Sequence, residues 1–368
     1  AQARTGGRVF RDTHLVRRLF MPSKVYFLPW KKRGELYKFL KAAKVFYHVK
    51  ARNFLAVKIH FGEEKNKGYI KPEYVKPVAD IIKEKTAFPY LTDCSTIYVG
   101  KRADAYHHLL VANKHGFSVE SCGCPIIIAD GLRGNNEIEI EINKKHFKSV
   151  LIGADIAKAD SFIFMSHFKG HEATGFGGAI KNIGMGCGTK AGKFAMHHTS
   201  KPHVHNAKCI ACGSCVKNCA QEALSLENKK IVMNKNKCVG CGQCLVSCPK
   251  NVFILDWNEG SNSLQERIAE YAYGVLKDKK SSYINFVNHI SKYCDCFDIV
   301  KNEPLMDDVG IVAGTDPVAV DQASYDLTNK TYGKNFFRTI YPDIDPEIQL
   351  EYAQELGIGV RDYELVEY

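Results

Sequence analysis

The sequence lacks any apolar run near the roughly 18 residues that a membrane-crossing helix requires. That excludes a helical membrane span. It has no low-complexity segment and no collagen-like repeat. Its N-terminal stretch lacks the apolar core of a secretory signal, so a reducing cytoplasm is the expected setting and disulfides are not expected. What is present is ordinary for a globular chain. Of 368 residues, 45% are hydrophobic and 25% charged. That length predicts two or three domains with enough apolar content for a core.

Two features are unusual: a formal net charge of +11 and 14 cysteines. The charge alone would suggest nucleic acid or a membrane surface. Part of it sits in residues 1–20, where Arg4, Arg8, Arg11, Arg17 and Arg18 face one acid, Asp12. We read 1–20 as an appended leader outside the fold, with a basic transit peptide as the alternative. The remainder carries +7.

From Met21 to about Ile163 strand and helix patterns alternate. Val25–Leu28, Phe54–Phe61, Tyr90–Asp93, Pro125–Ala129 and Ser161–Met165 read as strands. Glu35–Lys44, Pro72–Lys85 and Ala103–His115 read as helices. Such βα repetition predicts an α/β fold with a mostly parallel, helix-covered sheet. Functional side chains then collect beyond the strands' carboxyl ends. After Trp257 the pattern returns. Ser263–Leu276 reads as a helix with a Ser263/Glu266 capping box. Gly310–Ala313 reads as a strand, and Asp316-Pro317 as a helix start. The expected organisation is an α/β body in two parts, 21–200 and 257–368, around an inserted module at 201–256.

The module holds eight of the cysteines. Cys209-x2-Cys212-x2-Cys215-x3-Cys219 is followed by Cys238-x2-Cys241-x2-Cys244-x3-Cys248-Pro249. This doubled spacing is that of bacterial two-cluster ferredoxins. A tight loop wraps three corners of a cubane, and the fourth cysteine serves the other cluster. Cys209, Cys212, Cys215 and Cys248 are expected to hold one [4Fe–4S] cluster. Cys219, Cys238, Cys241 and Cys244 are expected to hold the second. Gly213, Gly240 and Gly242 suit a close approach of backbone to sulfide. A pair of zinc knuckles is the alternative, but zinc gives no reason for the repeat. With both clusters oxidised, the charge falls to about +3, and no nucleic-acid or membrane partner is expected.

In the body, residues 166–198 read as a loop rich in Gly, Lys and His. Gly175, Gly177 and Gly178 suit an anion or cofactor, with Cys187 facing the same site. Lys169 and Lys181 supply charge, and Lys181 could anchor a group covalently. His171, His197 and His198 could shuttle protons or ligate metal. His60 and Asp93 end strands and join the catalytic candidates. Cys294-Asp295-Cys296 is a compact pair for a soft metal or redox thiols. Asp316 reads as a cap; Asp321 could point either way.

In order, the segments SHFKGHEATGFGGAIKNIGMG, GTKAGKFAMHH, the double-cluster module, CDCFD and DVGIVAGTDPVAVDQAS resemble the ferredoxin-containing family catalogued as domain of unknown function 362. That resemblance implies an iron–sulfur protein of anaerobic bacteria or archaea and no particular reaction. A shorter stretch, His171-x3-Gly175-Phe176-x-Gly178-x2-Lys181 with His197, resembles the active-site segment of the nickel-pincer lactate racemases. There the residue matching Lys181 tethers the cofactor and that matching His197 ligates nickel. The sequence thus predicts two [4Fe–4S] clusters feeding a small-molecule substrate, or a further cofactor, bound in the body. A ferredoxin, flavodoxin or reductase would be the redox partner. The alternatives are an electron-transfer or metal-delivery protein, and an isomerase with a lysine-tethered metal cofactor.

Overall fold

The computed structural model describes residues 22–98, 100–197, 202–219, 222–238, 244, 247–250, 252–254, 261–296 and 302–368. The leader, His198, Gly240, Cys241 and Gly242 lie outside the described residues.

Strands β1 (Ser23–Pro29), β2 (Phe54–Lys58), β3 (Phe88–Asp93) and β4 (Ile126–Ile128) belong to a central sheet. β5 (Glu137–Glu141) and β6 (Ser149–Gly153) form a separate ribbon, before β7 (Ser161–His167) returns to the sheet. β8 (Lys169–His171) and β9 (Gly175–Gly177) form a second ribbon. Four short strands follow in the cysteine-rich segment: β10 (His203–Val204), β11 (Leu224–Glu227), β12 (Lys230–Met233) and β13 (Phe253–Ile254). β14 (Lys280–Val287), β15 (Gly310–Gly314) and β16 (Tyr363–Glu367) complete the sheet. Its eight strands run in the order β16-β1-β15-β14-β7-β2-β3-β4. Only β15 runs against its neighbours, β1 and β14; all other pairs are parallel.

Alternation along each strand feeds two apolar layers, one on each face. In β2, Leu55 and Val57 join one layer and Ala56 the other. In β14, Ile284 and Phe286 face the first layer, Tyr283 and Val287 the second. Helix Pro72–Glu84 presents Val75, Val78 and Ile82 to the first layer, and helix Ser261–Leu276 presents Leu264, Ile268, Ala272 and Val275 to the second. The expected helix-covered, mostly parallel sheet is what the chain forms. Residues 202–254 keep a small apolar cluster of their own around Cys215, Leu224, Ile231, Val252 and Phe253.

Three local expectations change. Residues 166–198 are not a loop: they hold the end of β7, the β8–β9 ribbon and helices Ala179–Cys187 and Lys190–His197. The helix Ser261–Leu276 starts before Ser263, so Ser263 lies within it and forms no capping box; Glu266 instead binds Lys145 and His146. β2 ends at Lys58, although the Ile59 N–H still donates to the Thr92 carbonyl at 3.1 Å.

Candidate functional site at the strand ends

β2, β3, β7 and β14 are parallel, so their carboxyl ends share one edge of the sheet. Lys58 ends β2 and Asp93 ends β3. Their side chains are nearly inaccessible, and Lys58 Nζ lies 2.9 Å from Asp93 Oδ1. Arg102 Nη1 lies 3.3 Å from the other carboxylate oxygen, and His108 Nε2 3.6 Å. Burial pushes the Asp93 carboxyl up, but Lys58, His108, His60 and Arg102 together hold it well below the usual range. Arg102 also donates from Nε to Glu63 at 2.7 Å and from Nη2 to the Tyr98 hydroxyl at 2.8 Å. His108 is pushed down to about 3 by burial and stays neutral.

A second group forms where β7 meets the segment after β14. Asp295 is buried and accepts from His167 Nδ1 at 2.8 Å, with Lys169 Nζ 3.2 Å away. His167 Nε2 bonds the Asn288 carbonyl at 2.8 Å. Among the described residues Asp295 Oδ1 has no hydrogen-bond partner. His60 stands between the two groups: burial first, then Arg102, push its imidazole well below its ordinary value, against the pull of Asp93 and Asp295.

Lys181 lies on helix Ala179–Cys187, partly buried. Among the described residues nothing accepts a hydrogen bond from its amine. Burial, then the neighbouring Lys169, lower its pKa to about 7, while Glu172 and Asp295 pull the other way. His171, buried on β8, is driven well below its ordinary value by burial, then Lys181, Lys169 and His197. One ring nitrogen of His171 and the sulfurs of Cys294 and Cys296 all lie within 4.8 Å of one another. Cys294 is buried and Cys296 partly so, and a disulfide joins them. One intervening residue leaves the two sulfurs adjacent, so the pair closes locally.

Among the candidates, Lys169, His171, Lys181, His197, His60 and Asp93 therefore sense one another electrostatically at this edge, and Cys294 and Cys296 join them. The glycines play other parts. Asp321 accepts the Ala179 N–H at 2.6 Å and the Ile180 N–H at 2.9 Å, so the helix start already holds a carboxylate. A Cβ on Gly178 would lie 2.2 Å from Asp321 Oδ1. Gly175 and Gly177 belong to the β8–β9 ribbon, opposite His171 and Lys169. Only Gly178 packs against that built-in carboxylate: a Cβ on Gly175 would lie 2.5 Å from Pro346, and one on Gly177 3.1 Å from the Lys181 side chain. Cys187 lies in the core, its thiol pushed up to about 12 by burial, instead of lining the site. Cys94, Cys122 and Cys124 are also buried in apolar packing. Asp316 caps its helix, accepting from Val318 and Ala319. Arg102, Glu63, His108, His167 and Asp295 escaped the sequence reading. Asp295 sits between the two flagged cysteines and His167 two residues before flagged Lys169; Arg102 carries no local signal.

In the cysteine-rich segment, Cys209, Cys212, Cys215 and Cys248 line one cavity with Gly213, Ile231 and Val252. Cys219 Sγ accepts the Ala223 N–H at 3.2 Å, and Cys248 Sγ the Val252 N–H at 3.5 Å. The same contact four residues on recurs in both halves of the repeat. Gly213 has φ +71° and a Cβ there would meet nothing within 4 Å, so its left-handed backbone, not crowding, requires glycine.

Fold and site together define an α/β protein with a strand-end site that carries lysines, an arginine and a cysteine pair. The chain belongs to the family described as domain of unknown function (DUF362), whose model matches residues 55–326. A search of curated proteins finds no match. Among solved structures, the chain is similar to the lactate racemase apoprotein from Thermoanaerobacterium thermosaccharolyticum, at 10% identity and TM-score 0.39, covering 79% of this chain and 54% of that one. It is also similar to a Thermotoga maritima protein of known crystal structure, at 10% identity and TM-score 0.42, covering 81% and 58%. The chain thus spans less than two thirds of either protein. No helix among the described residues is long and apolar enough to cross a membrane.

Proposed function

We propose that this protein is an iron–sulfur oxidoreductase. Residues 201–256 carry two [4Fe–4S] clusters, and the α/β body, 21–200 with 257–368, binds a small anionic substrate at the strand-end site. The observation that carries this reading is the cavity lined by Cys209, Cys212, Cys215 and Cys248. Three cysteines of one motif and the last of the other meet there, which is the set a crossed pair of cubanes requires. Cys219, Cys238, Cys241 and Cys244 would hold the second cluster. Bound clusters supply single electrons at low potential.

The chain's own groups do the rest. The Ala223 and Val252 amides donate to cysteine sulfurs and offset thiolate charge. Lys181, near neutrality, can pair with a carboxylate or phosphate when protonated and take a proton when not. Neutral His171, which senses Lys181, can hydrogen-bond a bound substrate. Asp295 holds Lys169 in place. A ferredoxin, flavodoxin or reductase would exchange electrons with the module.

The full chain purified without oxygen should contain about eight iron and eight labile sulfide per chain. Cys248→Ser should lose about half of the iron. Four or fewer iron atoms in fully loaded protein would sink the reading. A second reading, an isomerase with a group tethered to Lys181, draws support from His171 sensing both Lys181 and His197. It predicts a mass adduct on Lys181 in the intact protein; an unmodified mass excludes the tether.

A further inference from the structure

The strand-end site contains a donor set that electron delivery from the module does not use. Two sulfurs and an imidazole nitrogen converge within 4.8 Å. Each donor is held from outside. Asp295, between the two cysteines, is fixed by His167 and Lys169. His171 is held in the β8–β9 ribbon, opposite Gly175. A Cβ on Gly170, its neighbour, would lie 2.4 Å from the Lys292 carbonyl, so the ribbon sits directly against the segment that carries the cysteines.

We propose that the reduced Cys294–Cys296 pair, with His171, binds one thiophilic divalent metal ion, with zinc as the reference ion.

The chemistry fits. Two thiolates and one imidazole are three ligands for a tetrahedral ion and leave a fourth position open, the arrangement of a catalytic site and not of a closed structural one. The incoming ion itself supplies the positive charge that lets the two thiols lose their protons. His171 brings a ring nitrogen within 4.8 Å of both sulfurs. An anion at the open position would also satisfy Lys181, whose amine has no acceptor among the described residues. The disulfide form cannot bind. A dithiol or phosphine must first deliver two electrons, and two protons complete the thiols; the incoming ion then displaces those two protons. The site is therefore closed by oxidation and opened by reduction.

The test uses the full chain with its iron measured in the same sample, so that this site and the cluster reading fail separately. Protein reduced with a phosphine, loaded with zinc and freed of excess should retain about one zinc per chain. X-ray absorption at the zinc edge should report two sulfur ligands and at least one imidazole. Protein left in the disulfide form should retain none. Cys294→Ser/Cys296→Ser and His171→Ala should each weaken retention at least about tenfold at unchanged iron content. Cys296→Ser alone, at the less buried position, guards against misfolding and should weaken it likewise. No zinc in the reduced wild-type chain would overturn the proposal. So would equal retention by the double variant, or an all-sulfur ligand shell, because zinc would then occupy the module's cysteines.

Discussion

Burial around Lys181, with Lys169 close by, pulls its amine down to about 7 from an ordinary 10.5. Between those values the unfolded chain binds more protons than the folded one, so this lysine costs stability, and the cost is complete below about pH 7. Lys181→Met should therefore raise the melting temperature, more at pH 6 than at pH 9. An equal gain at both pH values would remove the depressed amine. Asp93 behaves in the opposite sense. Its folded carboxyl is held well below the usual range, so its contribution is present above about pH 4 and is lost only in strong acid. Asp93→Asn leaves Lys58 and Arg102 buried without their shared counter-charge and should cost about 3–5 kcal/mol by denaturant titration at pH 7. At this scale the sequence was a fair guide to which residues meet. His60 and Asp93 lie at the ends of predicted strands, so position alone marked them. Arg102 reaches Asp93 from a turn with no pattern, and only the three-dimensional path of the chain reveals it.

The helix Ala179–Cys187 shows why one element was hidden. Gly184 and Gly186 lower its helical propensity, which made the stretch read as a loop. The structure explains both: a Cβ on Gly184 would lie 2.1 Å from the Ile268 carbonyl, and one on Gly186 2.6 Å from Lys58 Nζ. The cap comes from far along the chain. Asp321, on helix Pro317–Tyr332, accepts the first two free amides and the Asn285 side chain, which no local window can see. Asp321→Ala should cost about 2 kcal/mol or more, since it strips a cap and leaves buried donors unpaired. Gly178→Ala should destabilise for a related reason, by driving a methyl into that carboxylate. Chemical denaturation of both variants checks the pair; a neutral effect of Asp321→Ala would show that the cap is dispensable. Because this helix carries Lys181, its loosening should also move the amine back toward its ordinary value.

For the whole molecule, strand–helix alternation was enough to give the sheet class, because parallel strands buried on both faces leave long β-rich runs between amphipathic helices. Two things stayed invisible. β15 runs antiparallel, and nothing in Gly310–Gly314 encodes direction. β16, with Tyr363, Leu365 and Val366 among acidic residues, is half exposed and reads as polar. It nonetheless covers the edge of β1, pairing Ser23 to Phe27 with Tyr363 to Glu367. Removing residues 362–368 should expose that edge and promote concentration-dependent association, detectable by light scattering. The sheet also has a temporal side. β7 pairs directly with β14, Ser161 beside Lys280, across the whole cysteine-rich segment. The first half of the body cannot close its sheet until residues beyond 280 have left the ribosome, and by then every cysteine of the double motif has already emerged. Long-range pairing of this kind is slow to form. The nascent chain therefore passes through a stage in which every cysteine of the double motif has emerged while the sheet on either side of them is still open, so the clusters proposed for them can be loaded before the sheet closes.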